Sequence, residues 1–161
     1  MDPRPHRERL LHDLKEIRDE LVGEINRVKP EEFDVAPAEG AKSYKALLQE
    51  IATMEKLCAG WVSTGSMPDW ETAIAWSGND IPSILADIEK VRAETTAYLE
   101  EVDEAGLQTP KRLPEDWWQY FPVKDIEPEE MIRWVIRHEY YHLGQIITYR
   151  WLAGDNPYSR G

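Results

Sequence analysis

Apolar side chains recur at spacings of three and four along four stretches of the chain, the periodicity of helices that bury one face. Leu10, Leu14, Ile17, Leu21, Ile25 and Val28 predict a first helix over about 4–28, which Pro30 helps to end. Tyr44, Leu47, Leu48, Ile51, Cys58, Trp61 and Val62 predict a second over about 44–63, with Ser43 placed to cap it. Ile84, Ile88, Val91, Thr95, Tyr98 and Val102 predict a third that runs to about 104, with Asp80 as its cap and Pro82 in its first turn. Ile132, Val135, Leu143 and Ile146 predict a last helix over about 127–153, with Pro128 near its start. No segment shows convincing strand alternation.

The connections matter as much as the helices. TGSMPDWETAIAWSGND, between the second and third, reads as a long link with one short turn of helix. TPKRLPEDWWQYFPVKDIEP precedes the last helix, and loops of such length in a compact domain are often functional. The expectation is an all-α four-helix bundle, with residues 1–161 as a single domain. The long link between helices two and three permits those two to run parallel, an up-down-down-up order.

A hydrophobic content of 42% fits a folded chain, and the net charge of −12 argues against nucleic acid and against an anionic membrane as partners. No run of about 18 apolar residues is present and MDPRPHRERLLHDL has no apolar signal core, so a soluble cytoplasmic protein is expected. Cys58, the one cysteine, lies on the apolar face of its helix and reads as a small buried hydrophobe rather than a nucleophile.

The chemistry concentrates in RHEYYHLGQ, residues 137–145. His138 and His142 stand one helical turn apart on one face, a spacing at which one ion can bridge both imidazoles. At about 100° per residue, Glu139 falls near the middle of the inward face, whereas Gln145 and Tyr149 share the histidine stripe. HExxH is also the signature of zinc proteases, but the long form of that motif would need Gly at 145 and His at 148, where Gln145 and Thr148 stand. The shorter form needs a downstream Glu, and the sole acid after His142 is Asp155. A di-iron bundle needs a second Glu-x-x-His element, and neither His6 nor His12 supplies one. A third ligand must therefore come from an earlier helix. In ALLQEIATMEKL both Glu50 and Glu55 border the apolar stripe, and periodicity does not choose between them.

HEYYHLGQ in a late helix, preceded by LLQEIATMEK in an earlier one, resembles the DinB/YfiT-like superfamily of small four-helix-bundle metalloenzymes. The likeness spans ERLLHDL, PAEGAKSYKALLQEIATME and EEMIRWVIRHEYYHLGQI. The family pattern implies three histidines on one metal. Two match His138 and His142, while the third position is held by Glu50. The resemblance therefore implies a metal site of Glu50, His138 and His142 for a divalent ion such as zinc, nickel, iron or manganese, the carboxylate favouring the harder ions. It further implies a metal-dependent transferase or hydrolase that activates water or a low-molecular-weight thiol toward a small-molecule substrate. Glu139, Gln145 and Tyr149 are the candidate catalytic residues, with Tyr141 and the tryptophans of WWQYF as an apolar wall. A metal-stabilised module without turnover, formed as a homodimer, is the alternative reading.

Overall fold

The computed structural model describes residues 5–160, and it folds the predicted stretches into helices α1 (His6–Ile25), α2 (Tyr44–Thr64), α3 (Ile81–Glu101) and α5 (Pro128–Leu152). Position 4, the expected start of the first helix, lies outside the described residues, as do the ends of the expected 1–161 domain. The caps read from sequence do their work: Ser43 Oγ accepts from the Ala46 amide, and Asp80 accepts from that of Ser83. Gly65 closes α2 at φ +80°, a left-handed conformation that only glycine adopts without strain. α1 stops at Ile25 rather than Val28, because Arg27 and Val28 donate to carbonyls three residues back and tighten the chain into a turn.

Three expectations need correction. The link of residues 65–80 contains no helix, only a turn around Trp70–Thr72. The third helix ends at Glu101, and residues assigned to its tail instead begin a separate short helix α4 (Glu104–Gln108), which Asp103 caps. The loop before α5 holds two short antiparallel strands, β1 (Lys111–Arg112) and β2 (Asp125–Ile126), too brief to show as alternation. Their pairing closes the WWQYF loop. The Trp61 indole donates to the Arg112 carbonyl at 3.2 Å and so ties that loop to α2.

Cross-helix contacts give the directions. His6 meets Glu129 and Arg18 meets Glu139, so α1 and α5 run parallel. Leu14 meets Arg92 and Arg18 meets Glu89, so α3 runs opposite to α1. Lys56 meets Glu94 alongside α3, and Tyr44 meets Tyr149 alongside α5. The order is up-down-down-up, with the link of residues 65–80 returning along the bundle so that α2 and α3 run parallel.

The core has two apolar halves. Ile17, Leu21, Leu48, Ile51, Ile88 and Leu143 belong to one, and Leu10, Leu14, Cys58, Trp61, Leu99 and Val135 to the other. Between them lies a layer of charge. Arg18 from α1, Glu55 from α2, Arg92 from α3 and Glu139 from α5 are all buried there. Glu55 accepts from Arg18 Nη2 at 3.0 Å, Arg92 Nε at 2.7 Å and Thr95 Oγ1 at 2.8 Å, and Glu139 accepts from both arginines. Unpaired, any of these ions would be costly in an apolar interior; here they are paired across four helices. No helix of the described residues is long and apolar enough to cross a membrane.

Candidate metal centre

α5 carries both histidines on the side of the bundle that faces α2, on either side of Glu139 in sequence. Their Nε2 atoms converge to 3.1 Å, and Glu50 Oε1 lies 3.7 Å from His142 Nε2. One ligand atom from each of Glu50, His138 and His142 falls within 4.8 Å of the others. A tetrahedral shell with bonds of ~2.0–2.1 Å separates its donors by ~3.3 Å, so small adjustments bring this trio onto one ion.

Hydrogen bonds aim the free lone pairs of His142 and Glu50 toward one another. Gln145 Oε1 accepts from His142 Nδ1 at 2.6 Å, which puts that ring's proton on Nδ1 and leaves Nε2 free as a donor atom. Lys42 Nζ contacts Glu50 Oε2, so the other carboxylate oxygen is the one presented to the histidines. Burial, reinforced by the neighbouring His142 and opposed by Glu50, pushes the His138 pKa down to about 4. The imidazole is therefore neutral near pH 7, the state a metal requires. Two histidines and a carboxylate form a recognised set for a divalent ion with coordination positions left over.

An aromatic stack backs His138. Trp134 lies parallel to it at 5.3 Å between ring centroids, and Trp117 and Phe121 from the closed loop pack on Trp134 at 6.3 and 5.7 Å. Trp117 and Phe121 thus stand behind a candidate ligand, and Trp117 also lines a separate cavity at the end of α2. On the other side, a cavity of about 270 Å³ opens against Glu50 and His142, with Gln145, Tyr141 and Tyr149 among its lining residues. A larger cavity, about 710 Å³, lies elsewhere, between the end of α2 and the β1 loop. Among the described residues it gathers no set of ligating side chains close enough for one ion, so the smaller cavity is the chemically equipped one. His12, Asp13 and Glu16 also cluster, but on the open face of α1.

Glu55 and Glu139 stand apart from this arrangement. Glu55 is fully buried with its oxygens committed to Arg18, Arg92 and Thr95, which removes it as the alternative to Glu50. Glu139 is absent from the cavity lining and holds arginines with both oxygens. Gln145 and Tyr149 do line the cavity. Lys42 and Trp134 are the participants that periodicity missed. Trp134 was detectable in principle, since it precedes His138 by one helical turn.

The sequence profile of a family described as the DinB superfamily matches residues 13–146. Among solved structures, a DinB-like protein from Bacillus subtilis superposes with a TM-score of 0.71 at 17% identity, covering 91% of this chain and 92% of that one. A protein described as a four-helix bundle superposes with a TM-score of 0.64, also at 17% identity, covering 87% and 97%. No protein of curated function matches the chain.

Proposed function

Because the chain belongs to the DinB superfamily, we propose that Glu50, His138 and His142 hold a divalent metal and that the protein is a metal-dependent enzyme acting on a small molecule. The observation that carries this reading is the convergence of three donors beside a cavity, with Gln145 fixing the His142 tautomer. A metal held there would supply Lewis acidity toward water or a low-molecular-weight thiol.

The chain's own residues do the remaining work. Glu50 and the two histidines come from α2 and α5, so the site forms only when those helices are docked. Gln145 keeps the His142 ring oriented through its bond to Nδ1. Trp134 restricts the His138 ring from behind. Tyr141, edge-on to His142 at 5.1 Å, and Tyr149 narrow the space that an electrophilic substrate would occupy. The glutamate makes the ligand set one unit more negative than three neutral imidazoles. A metal held by this set would be a weaker Lewis acid than on three histidines, and the carboxylate would favour manganese or iron over softer ions.

The test is elemental analysis of the purified chain, followed by thiol transfer to a chloronitrobenzene electrophile. About one equivalent of metal, lost in Glu50→Ala and needed for turnover, is expected. Full metal content in Glu50→Ala would remove the glutamate from the site. Metal without turnover toward any thiol or water would favour the structural, non-catalytic role.

A further inference from the structure

A second cavity, of about 400 Å³, begins where the metal cavity ends. Ala41 and Tyr149 line both, so the two chambers adjoin at those residues to make a two-chambered trough beside α5. The chamber beyond Tyr149 is apolar, walled by Val35, Pro37, Ala38, Tyr44 and Leu152. Tyr149 is braced edge-on against the buried Tyr44 ring at 5.8 Å, which gives the passage between the chambers a fixed side. Val35 is 59% and Leu152 81% exposed, so this end of the trough presents apolar surface to solvent. The charged side chains among its lining residues are carboxylates: Glu32, which pairs with Arg150 at 3.4 Å, and Glu31.

Polarity therefore changes along the trough, from ligating nitrogen and oxygen at one end to hydrocarbon at the other. His142 and Tyr149 are two helical turns apart, roughly 10 Å at 1.5 Å per residue. We propose that the trough takes an amphipathic substrate of medium chain length, its polar head at Glu50, His138 and His142 and its uncharged alkyl or acyl tail in the chamber beyond Tyr149. This rests on the metal-centre reading for the head; the tail chamber stands on its own geometry. The carboxylates at the rim disfavour a tail that ends in an anion.

Alkyl hydroxamates probe both ends at once, since the hydroxamate chelates zinc and the chain length is free to vary. Each methylene taken fully out of water is worth about fourfold in affinity. Calorimetric titration of the zinc-loaded full chain should show decanohydroxamate binding at least ~10-fold more tightly than acetohydroxamate. Ala153→Trp, which fills the chamber from the exposed end of α5, should erase that gain and leave acetohydroxamate unchanged. Ala38→Trp fills it from the opposite wall and serves if the first variant does not fold. Equal affinity for the two probes, or a gain that survives both substitutions, overturns the proposal. So does a dimer that Ala153→Trp dissociates without any dependence on chain length, since the apolar end would then be covered by a second copy. Decanohydroxamate binding that is Ala153→Trp-sensitive but identical with and without zinc keeps the tail chamber and sinks the metal reading instead.

Discussion

Replacing Glu55 by alanine separates the two glutamates of α2 most sharply. In the folded chain two guanidinium groups, Arg18 and Arg92, face two carboxylates, Glu55 and Glu139, in the charged layer. Glu55 is 0% exposed and receives bonds of 2.7–3.1 Å from both arginines and from Thr95. Its removal leaves one positive charge without a buried counter-ion and strands several donors, since Glu89, the other partner of Arg18, is half exposed. Breaking a buried pair in this manner costs about 3–5 kcal/mol. For a domain whose total stability is of order 5–15 kcal/mol, that is a large share, and it lowers the melting midpoint by roughly 10 °C. Urea unfolding followed by circular dichroism measures it. Lys42→Ala is the control, because it breaks only the solvent-facing pair with Glu50 and should cost less than about 1 kcal/mol. A Glu55→Ala loss below about 1 kcal/mol would refute the account of the charged layer. So would loss of bound metal from Glu55→Ala under conditions where it remains folded. The effect has a pH signature. Burial raises the Glu55 pKa, but Arg92 and Arg18 outweigh it and hold the carboxyl below the ordinary 4.5. Its stabilisation is thus complete above pH 4.5 and fades as pH falls through the lowered folded value.

Other predictions follow from single contacts. In metal-free protein the His138 ring should titrate near pH 4 by NMR, because burial and His142 disfavour its charged form. The stability linked to it is present above pH 6.5 and is lost as pH falls through about 4, and a midpoint near 6.5 would contradict the buried geometry. Gln145→Leu should weaken metal binding ~10–100-fold in a competitive chelator titration, with the thermal midpoint of the metal-free protein unchanged, because only the His142 orientation is lost. Cys58 is fully buried and its thiol pKa is pushed up by burial and by Glu55, so it should resist a thiol reagent in the native state and react on denaturation.

The helices were legible because their signals are local. Ser43, Asp80 and Pro128 act within a turn of their own positions, and the three-and-four spacing of leucine and isoleucine survives without knowledge of what packs against it. The histidine pair was legible for the same reason. The choice between Glu50 and Glu55 was not, since the partners that decide it arrive from other helices: Arg18 from α1 and Arg92 from α3. A clue did exist. Arg18 follows Leu14 by four and precedes Leu21 by three, and Arg92 stands in the same relation to Ile88 and Thr95. Arginines set into otherwise apolar stripes call for carboxylates on the facing helices, and Glu55 and Glu139 are where those would be sought. The apolar chamber was beyond reach, because it joins the loop around Val35–Ala38 to the far end of α5 through contacts that no periodicity encodes.

Anomalous diffraction from crystals grown with zinc tests the centre most directly. One peak is predicted, about 2.0–2.2 Å from His138 Nε2, His142 Nε2 and a Glu50 oxygen, with at least one remaining position open to the cavity beside Tyr149. A peak elsewhere, no peak at saturating zinc, or a fourth side chain that closes the shell would contradict it.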